Sequence, residues 1–121
     1  GWTGSTASTT ELWLVSPAVD LTVSTAPQLQ FRSSTNFNGP QLKLFVSEDY
    51  DGNSDPSTQG TWVDYSGFVN WSPGDFTWTS SGIIPLLAFT NSTNFHLAYK
   101  YTSGSSGAAT WQVDDIIIDE N

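Results

Sequence analysis

The sequence has no cysteine and no methionine, a single histidine, and only 3 Lys and Arg against 12 Asp and Glu. Without cysteine there is no disulfide framework, no thiolate metal site and no thiol nucleophile. A formal net charge of −9 argues against general binding to nucleic acid or to an anionic membrane surface, because both need a basic face. No run of about 18 apolar residues occurs, so nothing reads as a membrane-spanning helix. Catalytic signatures are also missing. His96 has no Gly-x-Ser-x-Gly elbow to serve as the base of a serine triad. There is no His-Glu-x-x-His pair and no glycine-rich phosphate loop. Paired carboxylates can hydrolyse glycosides, but the acids here lie in loops or beside one another. A chain of 121 residues is also too small to wall a deep cleft. The chain reads as a non-enzyme.

What is present is strand-like alternation. No stretch combines helical apolar spacing with good caps; short alternating runs are separated by Gly, Pro, Asn, Asp and Ser. Residues 11–17 form a first strand, and 19–23 a short extended piece. Leu29, Phe31 and Ser33 share one face of a strand, with Gln28, Gln30 and Arg32 on the other. Leu42, Leu44 and Val46 do the same, opposite Lys43 and Phe45. Strands are expected at 61–65 and 76–79. Residues 83–89 are ambiguous, because Pro85 weakens a central strand. Phe95, Leu97, Tyr99 and Tyr101 alternate with Asn94, His96, Ala98 and Lys100. A last strand runs from about Thr110 to Asp119. Ser103–Gly107 reads as a hairpin loop. Hydrophobic residues at 37% and aromatics at 14% are enough for one core, since each aromatic buries a large area. The expected fold is all-β: a two-sheet antiparallel β-sandwich of jelly-roll type, a single domain over residues 1–121.

Several segments together resemble the choice-of-anchor J or cleaved-adhesin domains of secreted bacterial proteins, jelly rolls related to the MAM domain. They are Trp13-Leu-Val-Ser-Pro-Ala-Val-Asp-Leu21, residues 42–52, residues 55–62, Trp78-Thr-Ser-Ser-Gly82, residues 98–103 and Trp111-Gln-Val-Asp-Asp-Ile116. The resemblance implies an extracellular accessory domain attached to a protease, nuclease or glycoside-degrading enzyme. It implies adhesive or glycan-binding roles and bound calcium, with Asp114 as a ligand. Such domains usually carry a further segment before the stretch matching Trp13. The ten residues before Glu11 therefore leave an edge strand or a metal ligand missing. The start at Gly1-Trp2, without a leader, reads as a monomeric module taken from a longer exported protein.

Two acidic loci are candidate calcium sites. Asp49, Asp51, Asn53 and Asp55 alternate along one loop, and calcium takes six to eight oxygen ligands that such a loop can converge. A solvated turn uses the same residue types. Asp114 and Asp115, with Glu11, form the second locus. Val113 and Ile116 can both reach the core only across a β-bulge at Asp114-Asp115. The bulge would turn a carboxylate inward, where a cation could balance it. In the alternative, both acids face water.

Two surfaces are candidates for a polysaccharide ligand. Arg32, Lys43, His96 and Lys100 take the outward parity of their strands and could gather on one sheet face with Phe45, binding an anionic glycan through charge-assisted hydrogen bonds. Outward Lys and Arg are also ordinary protection for a sheet. Tyr65, Phe68 and Trp71 lie in a Gly- and Pro-rich connection, where a loop Trp can stack on a sugar ring or fold down onto the core. The function expected is that of a carbohydrate-binding module of a secreted polysaccharide-degrading enzyme. The competing expectation is an adhesin-type or spacer domain that recognises protein or matrix.

Overall fold

The computed structural model describes residues 3–8, 11–36, 41–102 and 110–120; for residues 3–8, 110, 119 and 120 this covers the backbone only. The first sheet has five strands in the order β1-β2-β8-β4-β5. These are β1 (Thr3–Ser8), β2 (Glu11–Val15), β8 (His96–Thr102), β4 (Lys43–Ser47) and β5 (Val63–Asp64). The second sheet is built on β3 (Pro27–Asn36). Along one edge of β3 lie two short strands, β6 (Thr79–Ser80) and β7 (Ile84–Pro85); along the other runs β9 (Thr110–Glu120). All pairings are antiparallel. The chain is thus a two-sheet antiparallel β-sandwich.

Strand parity explains the core. Leu29, Phe31 and Ser33 of β3 are fully buried and face Leu44, Val46, Leu97 and Tyr99 of the first sheet. Each fully buried Leu or Phe contributes about 1.5–3 kcal/mol relative to exposure. Phe31 and Tyr99 meet edge to face with ring centroids 5.1 Å apart, and Phe89 and Phe95 at 5.2 Å extend the cluster.

A second cluster occupies the other side of the first sheet, where alternation alone places solvent. Trp13, Val15 and Ala98 are buried there under Tyr50, with Phe45 and Trp62 partly buried against them. The cover is loop 48–62. It is tied down by the Asn94 side-chain amide, which donates to the Tyr50 carbonyl at 2.9 Å, and by the Trp62 indole N–H, which donates to the Gln59 carbonyl at 3.1 Å. Gly60 makes the closure possible. Its φ is +93°, and a Cβ there would lie 3.2 Å from the Trp62 indole nitrogen and 3.3 Å from the Tyr50 backbone.

Several local expectations need correction. Only Val19 of the 19–23 segment pairs as a strand, bridging to Phe95. Leu21–Val23 is a 3₁₀ turn, capped by the Asp20 carboxylate, which accepts from the Thr22 N–H at 2.9 Å. The expected strand at 76–79 starts only at Thr79, because Asp75 and Phe76 take left-handed φ of 55° and 54° and form a turn. Pro85 is tolerated because β7 is a two-residue edge strand. The edge strand that the resemblance left missing is supplied by β1, paired to β2. The Ser103–Gly107 loop lies outside the described residues.

The bulge is where alternation required it. Gln30 opposes Ile117 and Arg32 opposes Asp114, so two residues of β9 stand against Phe31 alone. Asp115 takes φ 54°. Val113 and Ile116 both pack on the core.

Candidate functional site

The expected basic face is split by the topology. Arg32 lies on β3 in the second sheet, whereas Lys43, His96 and Lys100 lie on β4 and β8 in the first. His96 has outward parity but is buried, 2% exposed, because loop 48–62 covers it. Its ring meets Tyr50 edge to face at 5.1 Å. That burial lowers its pKa below the ordinary histidine value, against the smaller opposing effects of the Asn94 backbone and of Asp51.

The structure does bring Lys43, Lys100 and Phe45 together. Lys43 and Lys100 are directly opposite each other across β4 and β8. The Lys100 ammonium sits 5.1 Å from the Trp13 ring centroid and 5.8 Å from that of Phe45, and 3.7 Å from Glu11 Oε2. Cation–π contact of this kind holds a partly desolvated lysine in place. Glu11 also accepts from the Trp13 indole N–H. Lys43 is exposed, and among the described residues it has no ion pair within 4 Å. Its charge helps lower the pKa of Asp64, whose carboxylate is held mainly by hydrogen bonding to Ser66. Trp62 packs on Trp13 with ring centroids 5.4 Å apart and stays half-buried, so it extends the aromatic cluster that begins at Lys100 with Trp13. Trp62 was not among the expected site residues; its position depends on the fold of its loop.

The aromatic loop folds down. Trp71 is half-buried, wedged between Phe31 at 5.7 Å and Trp111 at 5.6 Å, and its indole N–H donates to the Ser66 carbonyl at 3.2 Å. Its neighbour Ser72 is buried and accepts from the Thr35 N–H at 3.3 Å, which fastens the loop to β3. Trp71 is therefore part of the core rather than an open platform. Tyr65 packs between Phe68 at 4.8 Å and Phe89 at 5.7 Å, and of these only Phe68 is well exposed.

The acidic loop satisfies itself. Asp49 accepts from the Thr61 N–H at 2.6 Å and the Ser47 hydroxyl at 2.9 Å, and these bonds lower its pKa. Asp51 accepts from the N–H groups of Asn53 and Ser54, both at 2.8 Å, and Asp55 from that of Ser57 at 2.9 Å. Asp51 and Asp55 cap their own turns, and Asp49 ties the start of the loop to its end at Thr61. Glu11 and Asp114 belong to different sheets. Asp114 and Asp115 both face water, so the bulge turns no carboxylate inward. Among the described residues, no three acidic or histidine side chains come together as a metal-binding group. The candidate calcium ligands among the described residues do not converge on one point.

The architecture defines a β-sandwich domain in which a loop covers part of one outer sheet face and leaves Lys43 exposed beside it. The family model described as Domain of unknown function (DUF5017) matches residues 18–120. The chain belongs to that family. No curated protein matches it.

Proposed function

We propose that this domain is a non-catalytic carbohydrate-binding module of a secreted bacterial polysaccharide-degrading enzyme. Its ligand would be a polysaccharide bearing carboxylate or sulfate groups. The observation that carries the reading is the Lys43–Lys100 pair. In a chain of net charge −9 with three Lys and Arg, two of the three face each other across adjacent strands. Like charges directly opposite are unfavourable, and an anionic group between them would remove the conflict. Phe45 beside them, and Trp62 where it packs on Trp13, supply apolar surface for the C–H face of a sugar ring.

The test is affinity electrophoresis of the whole chain against alginate, polygalacturonate and chondroitin sulfate. Binding to at least one is expected, weakening with added salt and lost in Lys43→Ala. If all three fail to retard the protein while it adheres to matrix proteins, the adhesin reading replaces this one.

A further inference from the structure

The outer face of the second sheet carries a different set of side chains. Arg32 stands at its centre, and its guanidinium carbon lies 5.6 Å from the Trp78 ring centroid. Trp78 is 40% exposed, a large indole left in solvent. Arg32 also reaches Asp115 Oδ2 at 3.7 Å, and it is paired in register with Asp114 on one side and Ser80 on the other. Gln28 and Gln30 continue the same outward row of β3.

Backbone conformation singles out this face. Among the described residues only three non-glycine positions have positive φ: Asp75, Phe76 and Asp115. Two form the turn that delivers Trp78, with the Phe76 N–H donating to the Thr35 carbonyl at 2.9 Å. The third sits in the bulge and aims its carboxylate at Arg32. Left-handed φ is costly for a residue such as Phe76, and strain of this kind collects at functional sites. Bulges likewise re-aim side chains beside sites. Left-handed residues from two separate elements, one of them the costly Phe76, thus flank one Arg–Trp pair.

We infer that the Trp78–Arg32–Asp115 face is a second binding site, and that its ligand is a neutral glycan chain. The indole offers a platform for a pyranose ring. Arg32 donates to sugar hydroxyls, Asp114 and Asp115 accept from them, and the Gln28 and Gln30 amides do both. Charge decides between glycan classes. Asp115 pairs with the one guanidinium and Asp114 stands opposite Arg32 across the ladder, so the face carries more negative than positive charge and disfavours an acidic sugar, whereas the Lys43–Lys100 face attracts one. The site stands on its own observations and does not need the lysine face to bind anything.

The experiment titrates the 121-residue chain with hexasaccharides of β-1,4-glucose, β-1,4-xylose, β-1,4-mannose and β-1,3-glucose, following tryptophan fluorescence and calorimetry. Binding of at least one is expected. Trp78→Ala should weaken it at least about thirtyfold, the size of a hot-spot loss. Arg32→Met, which keeps the stem over the indole, should weaken it several-fold at unchanged melting temperature. Asp115→Gly should raise the melting temperature and still weaken binding, because it relieves the left-handed residue and removes the acceptor. Lys43→Gln should leave neutral-glycan binding as it is. Silence across the panel, binding that survives Trp78→Ala, or loss in Lys43→Gln alone would each overturn the assignment. So would a protein ligand whose binding is lost in Trp78→Ala. Failure of the anionic polysaccharides to bind would count only against the lysine face.

Discussion

Lys43 and Lys100 stand directly opposite each other across β4 and β8, although the chain has few cations to place. Glu11, Trp13 and Phe45 hold Lys100, while Lys43 lies open to solvent. A double-mutant cycle of Lys43→Gln and Lys100→Gln should therefore return an unfavourable coupling of about 0.2–1 kcal/mol. Urea denaturation at low salt measures it, and it should shrink as salt screens the pair. A bound anionic polysaccharide should reverse its sign.

His96 sets the pH dependence near neutrality. Its folded pKa is lowered by burial beneath Tyr50, whereas in the unfolded chain it returns to about 6.5. The unfolded state then binds more protons as pH falls, so stability is full above about pH 6.5 and declines on acidification. The slope from one group cannot exceed about 1.4 kcal/mol per pH unit. Melting curves from pH 7.5 to 5 should show the decline, and His96→Gln should flatten it. Asp49, Asp51 and Asp64 have lowered pKa values. Their contribution is lost only as pH falls below about 3.9, the ordinary carboxylate value, so the two windows separate.

Trp71 and Phe68 lie three residues apart and should behave oppositely. Trp71 is wedged against Phe31 and Trp111, and Trp71→Ala should cost about 2 kcal/mol or more. Phe68 is 63% exposed, and Phe68→Ala should stay within about 0.5 kcal/mol. Denaturant midpoints compare the two. Equal losses would show that the loop is not docked as described.

Loop 48–62 should hold without a cation, because the carboxylates of Asp49, Asp51 and Asp55 are met by neighbouring N–H groups and hydroxyls. A melting curve in chelator should match one in calcium. A fall of several degrees in chelator would reveal a stabilising ion.

Much of the strand pattern was legible because side-chain alternation is local. Leu29, Phe31 and Ser33, then Leu42, Leu44 and Val46, then Phe95, Leu97 and Tyr99 are all buried as their parity requires. The bulge could be read from the broken alternation between Val113 and Ile116. Trp78 and Trp62 were missed as site residues. The one signal near Trp78 was the Gly74-Asp75 turn, which does not say that the following residue takes left-handed φ. Trp62 follows a loop whose course over β2, β4 and β8 depends on Gly60 and on the distant Asn94.

By itself, then, the sequence determined an all-β chain, the inward face of each main strand, and the absence of thiol chemistry and of a broadly basic surface. Those properties follow from period-two alternation and from composition, which need no knowledge of partners. The tertiary structure alone decided which strands share a sheet and what lies over each face. It put Arg32 in one sheet and Lys43 with Lys100 in the other, sealed His96 beneath Tyr50, and wedged Trp71 beside Phe31. Each outcome depends on contacts between residues far apart in the chain. Alternation gives only the two sides of a strand; whether water, a loop or another sheet meets the outer side depends on how distant segments pack.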